Sequence, residues 1–524
     1  MRLFRIPAAL CLGALALSGC GPQTVAGGAA APAAPVAEAA PDAPRAAPEG
    51  VLPRLRTHPL SPDATGDPAR NDALAARLRA RAAAMSPALN RPEIAFAAHS
   101  AAQLDFDSAL ARRDGDALRA ADAAMRAAER EMAAIPDGYR AADPRGGLPW
   151  AGNGPAITAA LGLRSALRRY AAVALLDRAQ EEAARAALIA AAGRVAGAAA
   201  APVDRGGAWR VAVSALAGVQ LRDWSAEREA EQEEMLRRAE AAFAAAGTPF
   251  ARQELANTRL TRALMLSERA ARARSPAALA EARLALAAVP KADLAPDGQA
   301  VRDVALARTM LQEAGASPGR ATLREAEALT AAAMTRAEAL SPLLLIQALQ
   351  IRGVAVSARA IEERDAALLA KALAALNRAL EVADPKDPQL AAMRPQLRYQ
   401  LGRAYGVKAD LSRGLDGIAD VSSLPLSAWH CAAAAEAQAA PGREAQRMRA
   451  RWCEAKGRMR LATEGGEHAQ VPLARAAAEE VRRLARGRDD ALAQEADAML
   501  DLLRMMGTGG TPPPGLSLSR SRRT

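Results

Sequence analysis

The chain has 524 residues and a formal net charge of +11, with 51% apolar residues but only 3% aromatic ones. Alanine occurs 144 times; it is the best helix former and a poor strand former, which excludes a sheet-centred fold. Only five of the 69 basic residues are lysines (Lys291, Lys371, Lys386, Lys408 and Lys456), and an excess of Arg, Ala, Gly and Pro follows from GC-rich codon usage, so the basicity predicts no nucleic-acid partner.

Residues 1–20 read MRLFRIPAALCLGALALSGC. Arg2 and Arg5 precede a short apolar run from Ile6 to Leu17. About a dozen residues are too few to cross a bilayer as a helix, which takes about 20, but they suit a signal peptide. The run ends in Leu17-Ser18-Gly19-Cys20, which resembles the lipobox of bacterial lipoproteins. The resemblance implies cleavage before Cys20, lipid transfer to its thiol, and acylation of the new amino terminus, for instance by palmitate. Several acyl chains anchor stably where one does not. Gly21 rather than Asp after the cysteine implies the outer membrane, on its periplasmic side. No later segment offers eighteen uncharged apolar residues in a row, so no second span is expected.

Residues 20–66 are rich in Ala, Pro and Gly without apolar periodicity and read as a disordered tether. Helical patterning then begins at Asp67-Pro68, an N-cap followed by proline at the first helical position. Helices over 91–113 and 116–134 form an expected hairpin joined at Asp114-Gly115. The stretch 156–199 reads as one very long helix or two collinear ones. With the irregular loop 136–155, these make an N-terminal helical domain over 67–205. Gly206-Gly207 reads as a break, followed by helices over 208–222 and 225–246.

Beyond Phe250 helices are expected near 251–273, 276–289, 297–314, 319–339, 342–362, 365–383 and 388–407, separated by Ser-Pro, Pro-Gly and Asp-Pro steps. Helix pairs that cannot each bury an apolar face are the material of a stacked α-solenoid. Leu401-Gly402-xx-Tyr405, after Ala372-xxx-Leu376-xx-Ala379 and Pro385, resembles the tetratricopeptide repeat. The resemblance implies that the small residues sit where paired helices cross and that the aromatic fills the gap to the next repeat. Arg398 stands where that family prefers an aromatic, and the unit exceeds 34 residues. A generic Ala-rich bundle is the alternative. The expected fold is therefore all-α, an array of antiparallel helix pairs, with repeats over 206–420, further helices over 421–506 and a disordered tail over 507–524.

Four cysteines are present. Cys11 and Cys20 belong to the leader and the lipobox. Cys431 and Cys453 lie ten residues before and eleven after the Pro441-Gly442 turn, so antiparallel helices bring them level and predict a disulfide. A metal site of His430, Cys431, Cys453 and His468 lacks the usual ligand spacing, and no metal or other cofactor is expected. Trp429 and Trp452 beside the pair are expected to pack around the bridge. The loop 136–155 holds nine Gly or Pro in twenty residues, together with Tyr139 and Trp150. Either these aromatics bind a partner, or Trp150 packs back on its own helices. The charged run from Glu227 to Arg238 reads as a solvated face with i,i+4 pairs. The tetratricopeptide resemblance also implies a concave face that holds peptides or partner helices.

No H-E-x-x-H, G-x-S-x-G or phosphate-cradling glycine loop is present, so a catalytic role is not expected. The reading that results is a lipid-anchored scaffold or adaptor for envelope proteins, its partner and oligomeric state open. The alternatives are an accessory or catalytic part in peptidoglycan remodelling, or a glycan- or small-molecule-binding protein.

Overall fold

The computed structural model describes residues 50–62, 64, 67–136, 138–139, 148, 150, 152–199, 201–220, 225–273, 275–315, 319–412, 421–440 and 442–507. The lipobox residues Leu17, Ser18, Gly19 and Cys20, most of the expected tether and the tail from 508 onward lie outside them.

Every regular element among the described residues is helical. The helix starts follow local chemistry. Asp67 accepts from the Ala69 amide at the start of Pro68–Ala83, and Asp114 caps Gly115–Ala133 through the amides of Asp116 and Ala117. Ser341 and Asp365 cap Pro342–Glu363 and Ala366–Val382 in the same way. Each cap satisfies amides that no intrahelical carbonyl reaches.

The chain divides into two compact units, whose described parts are residues 50–272 with 284–299, and residues 273–283 with 300–507. This division falls inside the expected 206–420 repeat region, not at 205/206 or 420/421. In the first unit Arg91–Arg112 pairs with Gly115–Ala133, Gly154–Leu176 with Glu181–Ala198, and Pro202–Gln220 with Ala226–Ala246. In the second, Pro342–Glu363 pairs with Ala366–Val382, Arg394–Leu411 with Leu424–Glu436, and Glu444–Thr463 with Val471–Ala485. Within each unit the first helix of a pair also touches the first helix of the next. That stacking is the solenoid-like array of antiparallel pairs. Its core is a series of clusters between neighbours, including one around Ile157 and Phe96, one around Leu188 and Leu236, and one around Leu376 and Leu401.

Pro342–Glu363 is long and apolar enough by composition to cross a membrane. Here Leu344, Ile346, Ile351 and Val356 are buried, as in the core helix of a packed array.

Three expectations are corrected. The stretch 156–199 is not collinear: Gly154–Leu176 and Glu181–Ala198 pack side by side. The reversal comes at Asp177, whose carboxylate takes the Ala179 amide and the Gln180 side-chain amide. Gly206-Gly207 is no break but lies inside Pro202–Gln220. A β-carbon on Gly206 would stand 2.8 Å from the Phe243 ring, so the glycine marks a close crossing and not a turn. Finally, the tether ends before residue 51, because Val51–Thr57 is helical and Leu55 and Leu60 are each 1% exposed. The signal was Val51, Leu52, Leu55 and Leu60 in an otherwise weakly apolar stretch.

Candidate interaction site

The hairpin of Leu424–Glu436 and Glu444–Thr463 is closed by Cys431 and Cys453, whose sulfurs lie 2.10 Å apart with their Cα atoms at 5.8 Å. Small residues let three helices meet here. A β-carbon on Gly402 would lie 2.3 Å from the Cys431 sulfur and 2.9 Å from the Ser427 carbonyl oxygen. The Ser427 hydroxyl donates to the Gly402 carbonyl at 2.7 Å. Gly457 approaches Ala428 from the other side.

That crossing decides what Leu424–Glu436 shows to solvent. Ser427, Ala428, Cys431, Ala434 and Ala435 face inward. At helical spacing this turns Trp429 outward, where it is 54% exposed, with Leu426 beside it on the same face. The expectation that Trp429 packs around the bridge is therefore wrong. The half-buried Trp452 does pack, against the cluster around Met459 and Leu503.

The Arg398 guanidinium lies 5.0 Å from the Trp429 indole centroid. Among the described residues no carboxylate pairs with Arg398; burial and the neighbouring Arg394 hold its guanidinium below the usual arginine value. Arg394 itself donates to the carbonyls of Leu380 and Ala383, the end of Ala366–Val382. His430 stacks on Tyr405 at 5.6 Å and meets the Trp429 ring edge at 4.6 Å. Burial, with Arg398 nearby, pushes the His430 imidazole down to about 4, so it is neutral at pH 7. An exposed indole flanked by an unpaired, partly dehydrated guanidinium is fitted to bind an electron-rich or anionic group.

No family model matches the chain, and no curated protein matches it.

The other expected residues fall as follows. Ala372, Leu376, Ala379 and Leu401 are fully or almost fully buried, and Tyr405 lines the same cluster half-buried. Gly353 crosses Ala366–Val382 at Leu376, where a β-carbon would come within 2.6 Å. Trp150 packs back on its own helices, and the half-buried Tyr139 packs against the same cluster. Trp150 is 3% exposed, with its indole N–H donating to the Pro136 carbonyl at 3.0 Å. The Tyr139 hydroxyl donates to the Ala88 carbonyl and accepts from the Arg91 amide. An indole this large in an aromatic-poor chain is most stable when it fills a core. The charged run is solvated only in part. Glu234 pairs with Arg237 and Arg238 on its own helix, but Glu229 is buried against Arg269 and Arg272, and Glu231 meets Arg185.

One polar cluster had no sequence signal, because its members are scattered. His99 Nε2 lies 2.9 Å from the Ser165 hydroxyl, which donates to Glu129. A serine between an imidazole and a carboxylate suggests nucleophilic chemistry, but His99 and Ser165 are both 0% exposed. Glu129 keeps 23% side-chain exposure, and these hydrogen bonds give the buried Ser165 hydroxyl and one nitrogen of His99 a partner. Burial pushes the His99 imidazole down to about 4. Among the described residues no group of three His, Cys, Asp or Glu is placed to hold a metal ion.

Proposed function

We propose that this protein is a lipid-anchored lipoprotein of the bacterial envelope that acts as a non-catalytic interaction scaffold, docking its partner on the Trp429 face. The observation that carries the docking site is the pairing of an exposed indole with Arg398, a cation lacking a described carboxylate. Trp and Arg dominate binding hot spots because they desolvate large areas while fixing orientation. Anchoring rests on Leu17-Ser18-Gly19-Cys20. The resemblance of 372–405 to tetratricopeptide repeats supports an interaction role.

The test is site-directed photocrosslinking in intact envelopes. A photoreactive amino acid at position 429 should give one discrete adduct, and the same probe at the exposed Leu473 should not. Identical patterns from both positions would refute the docking site. For the anchor, Cys20→Ala should abolish labelling by radioactive palmitate; retained labelling defeats that half alone. The exposed indole also suits stacking on a sugar ring, which is the second reading. Co-sedimentation with purified sacculi that depends on Trp429, without a protein adduct, would favour the glycan.

A further inference from the structure

The short helix Val51–Thr57 solves a local problem with a distant residue. Its N-cap is Gly50, which has no side chain to satisfy the first amides. The Asp204 carboxylate, from the first turn of Pro202–Gln220, takes that role and accepts from the amides of Val51 at 2.9 Å and Leu52 at 2.8 Å. Gly50 is required for this approach. Its φ is +88°, and a β-carbon would stand 2.6 Å from an Asp204 oxygen.

The rest of the segment lies along the first helices of neighbouring pairs, touching Gly154–Leu176 and Pro202–Gln220. Leu52 comes over Gly207, and Leu55 and Leu60 join the cluster of Phe96, Ile157 and Leu161. His58 meets the Phe96 ring edge-on at 5.5 Å, and Arg164 donates to the Ser61 hydroxyl at 2.9 Å. The pattern is that of an amphipathic helix laid in a groove, with apolar anchors and a polar clamp on the first turn. Here the occupant is the chain itself.

We infer that residues 50–62 are a displaceable strap on a helix-binding groove, and that the groove accepts in trans an amphipathic helix of the same chemistry. Two features argue for displacement. The strap's helix is only two turns long, held by a few side chains against the entropy of ordering its backbone. Its strongest polar contact is a borrowed cap, and burial acts against the ionised Asp204 carboxylate that provides it. The inference concerns the first unit and stands independently of the Trp429 site.

The experiment uses the full chain and a fluorescent synthetic peptide with the sequence of residues 50–62. Wild type should bind the peptide weakly, because its own strap is in place. The Leu55→Glu, Leu60→Glu double variant should bind it roughly tenfold or more tightly by anisotropy, and adding Asp204→Ala should cost roughly tenfold again. The idea fails if the double variant, with wild-type circular dichroism, binds no better than wild type. Hydrogen exchange on unaltered wild type covers the case in which the variant does not fold. Amides of 51–57 should exchange roughly tenfold or more faster than those of 157–173, and equal protection overturns the inference.

Discussion

Gly402 and Cys431 sit so close that a β-carbon on the glycine would lie 2.3 Å from the cysteine sulfur. The helix crossing and the disulfide-bearing hairpin are therefore one packing unit. Gly402→Ala forces apart Arg394–Leu411 and Leu424–Glu436, at a cost of about 2 kcal/mol. Gly162, in the middle of Gly154–Leu176, has open space where a β-carbon would stand, with nothing within 4 Å. Gly162→Ala should instead stabilise by about 0.5–1 kcal/mol through helix propensity. Equilibrium urea unfolding of the two variants should move in opposite directions.

The bond between Cys431 and Cys453 closes a sequence separation of 22. Reduction, or a Cys431→Ala, Cys453→Ala double variant, should cost the second unit about 3 kcal/mol, because the unfolded chain regains the entropy of the open loop. Urea unfolding with and without reductant measures this. Reactive thiols at Cys431 and Cys453 in the unreduced chain contradict the bridge.

Acidification should weaken the first unit through His99, which faces Ser165, Glu129, Arg164 and Arg168. The unfolded imidazole takes its proton near 6.5, whereas the folded one resists until about 4. Between those values the unfolded state binds more protons, so stability is full above pH 6.5 and falls as the pH drops towards 4. The loss reaches about 3 kcal/mol. Glu129 acts in the same direction: burial opposes it, but the nearby His99 imidazole and the hydrogen bond from Ser165 hold the carboxyl below its usual value. A His99→Gln variant should show a flatter dependence of urea midpoint on pH across this window.

The two tryptophans should separate binding from stability. Trp150→Ala empties a core position that is 3% exposed and should cost about 3–5 kcal/mol. Trp429→Ala removes a side chain that is 54% exposed and should change stability by no more than about 0.5 kcal/mol. Acrylamide quenching should lose an accessible component in the Trp429 variant and none in the Trp150 variant.

Much of the architecture was legible because helix boundaries are local. Asp67, Asp114, Ser341 and Asp365 cap the helices that their sequence context marks, and proline opens several of them. The pairing of Cys431 with Cys453 was equally local, since both positions count nearly the same distance from one turn. Glycine was the ambiguous letter. Gly206 has the same side chain as a turn glycine, and only the neighbouring helix reveals that it marks a crossing, whereas the repeat resemblance already implied one at Gly402. The places of Trp150 and Trp429 were illegible for a related reason, because the direction of a large side chain depends on which helix face finds a partner.

The helical class, the Asp67 cap and the Cys431–Cys453 bridge follow from short-range propensity and spacing. Tertiary structure alone decided that Asp204 caps a helix some 150 residues earlier in the chain, that Ser165 bridges His99 and Glu129, and that Trp429 stands outside while Trp150 does not. An alanine-rich helix has several faces of similar hydrophobicity. Which one is buried is fixed only when a particular glycine lets a particular neighbour come close.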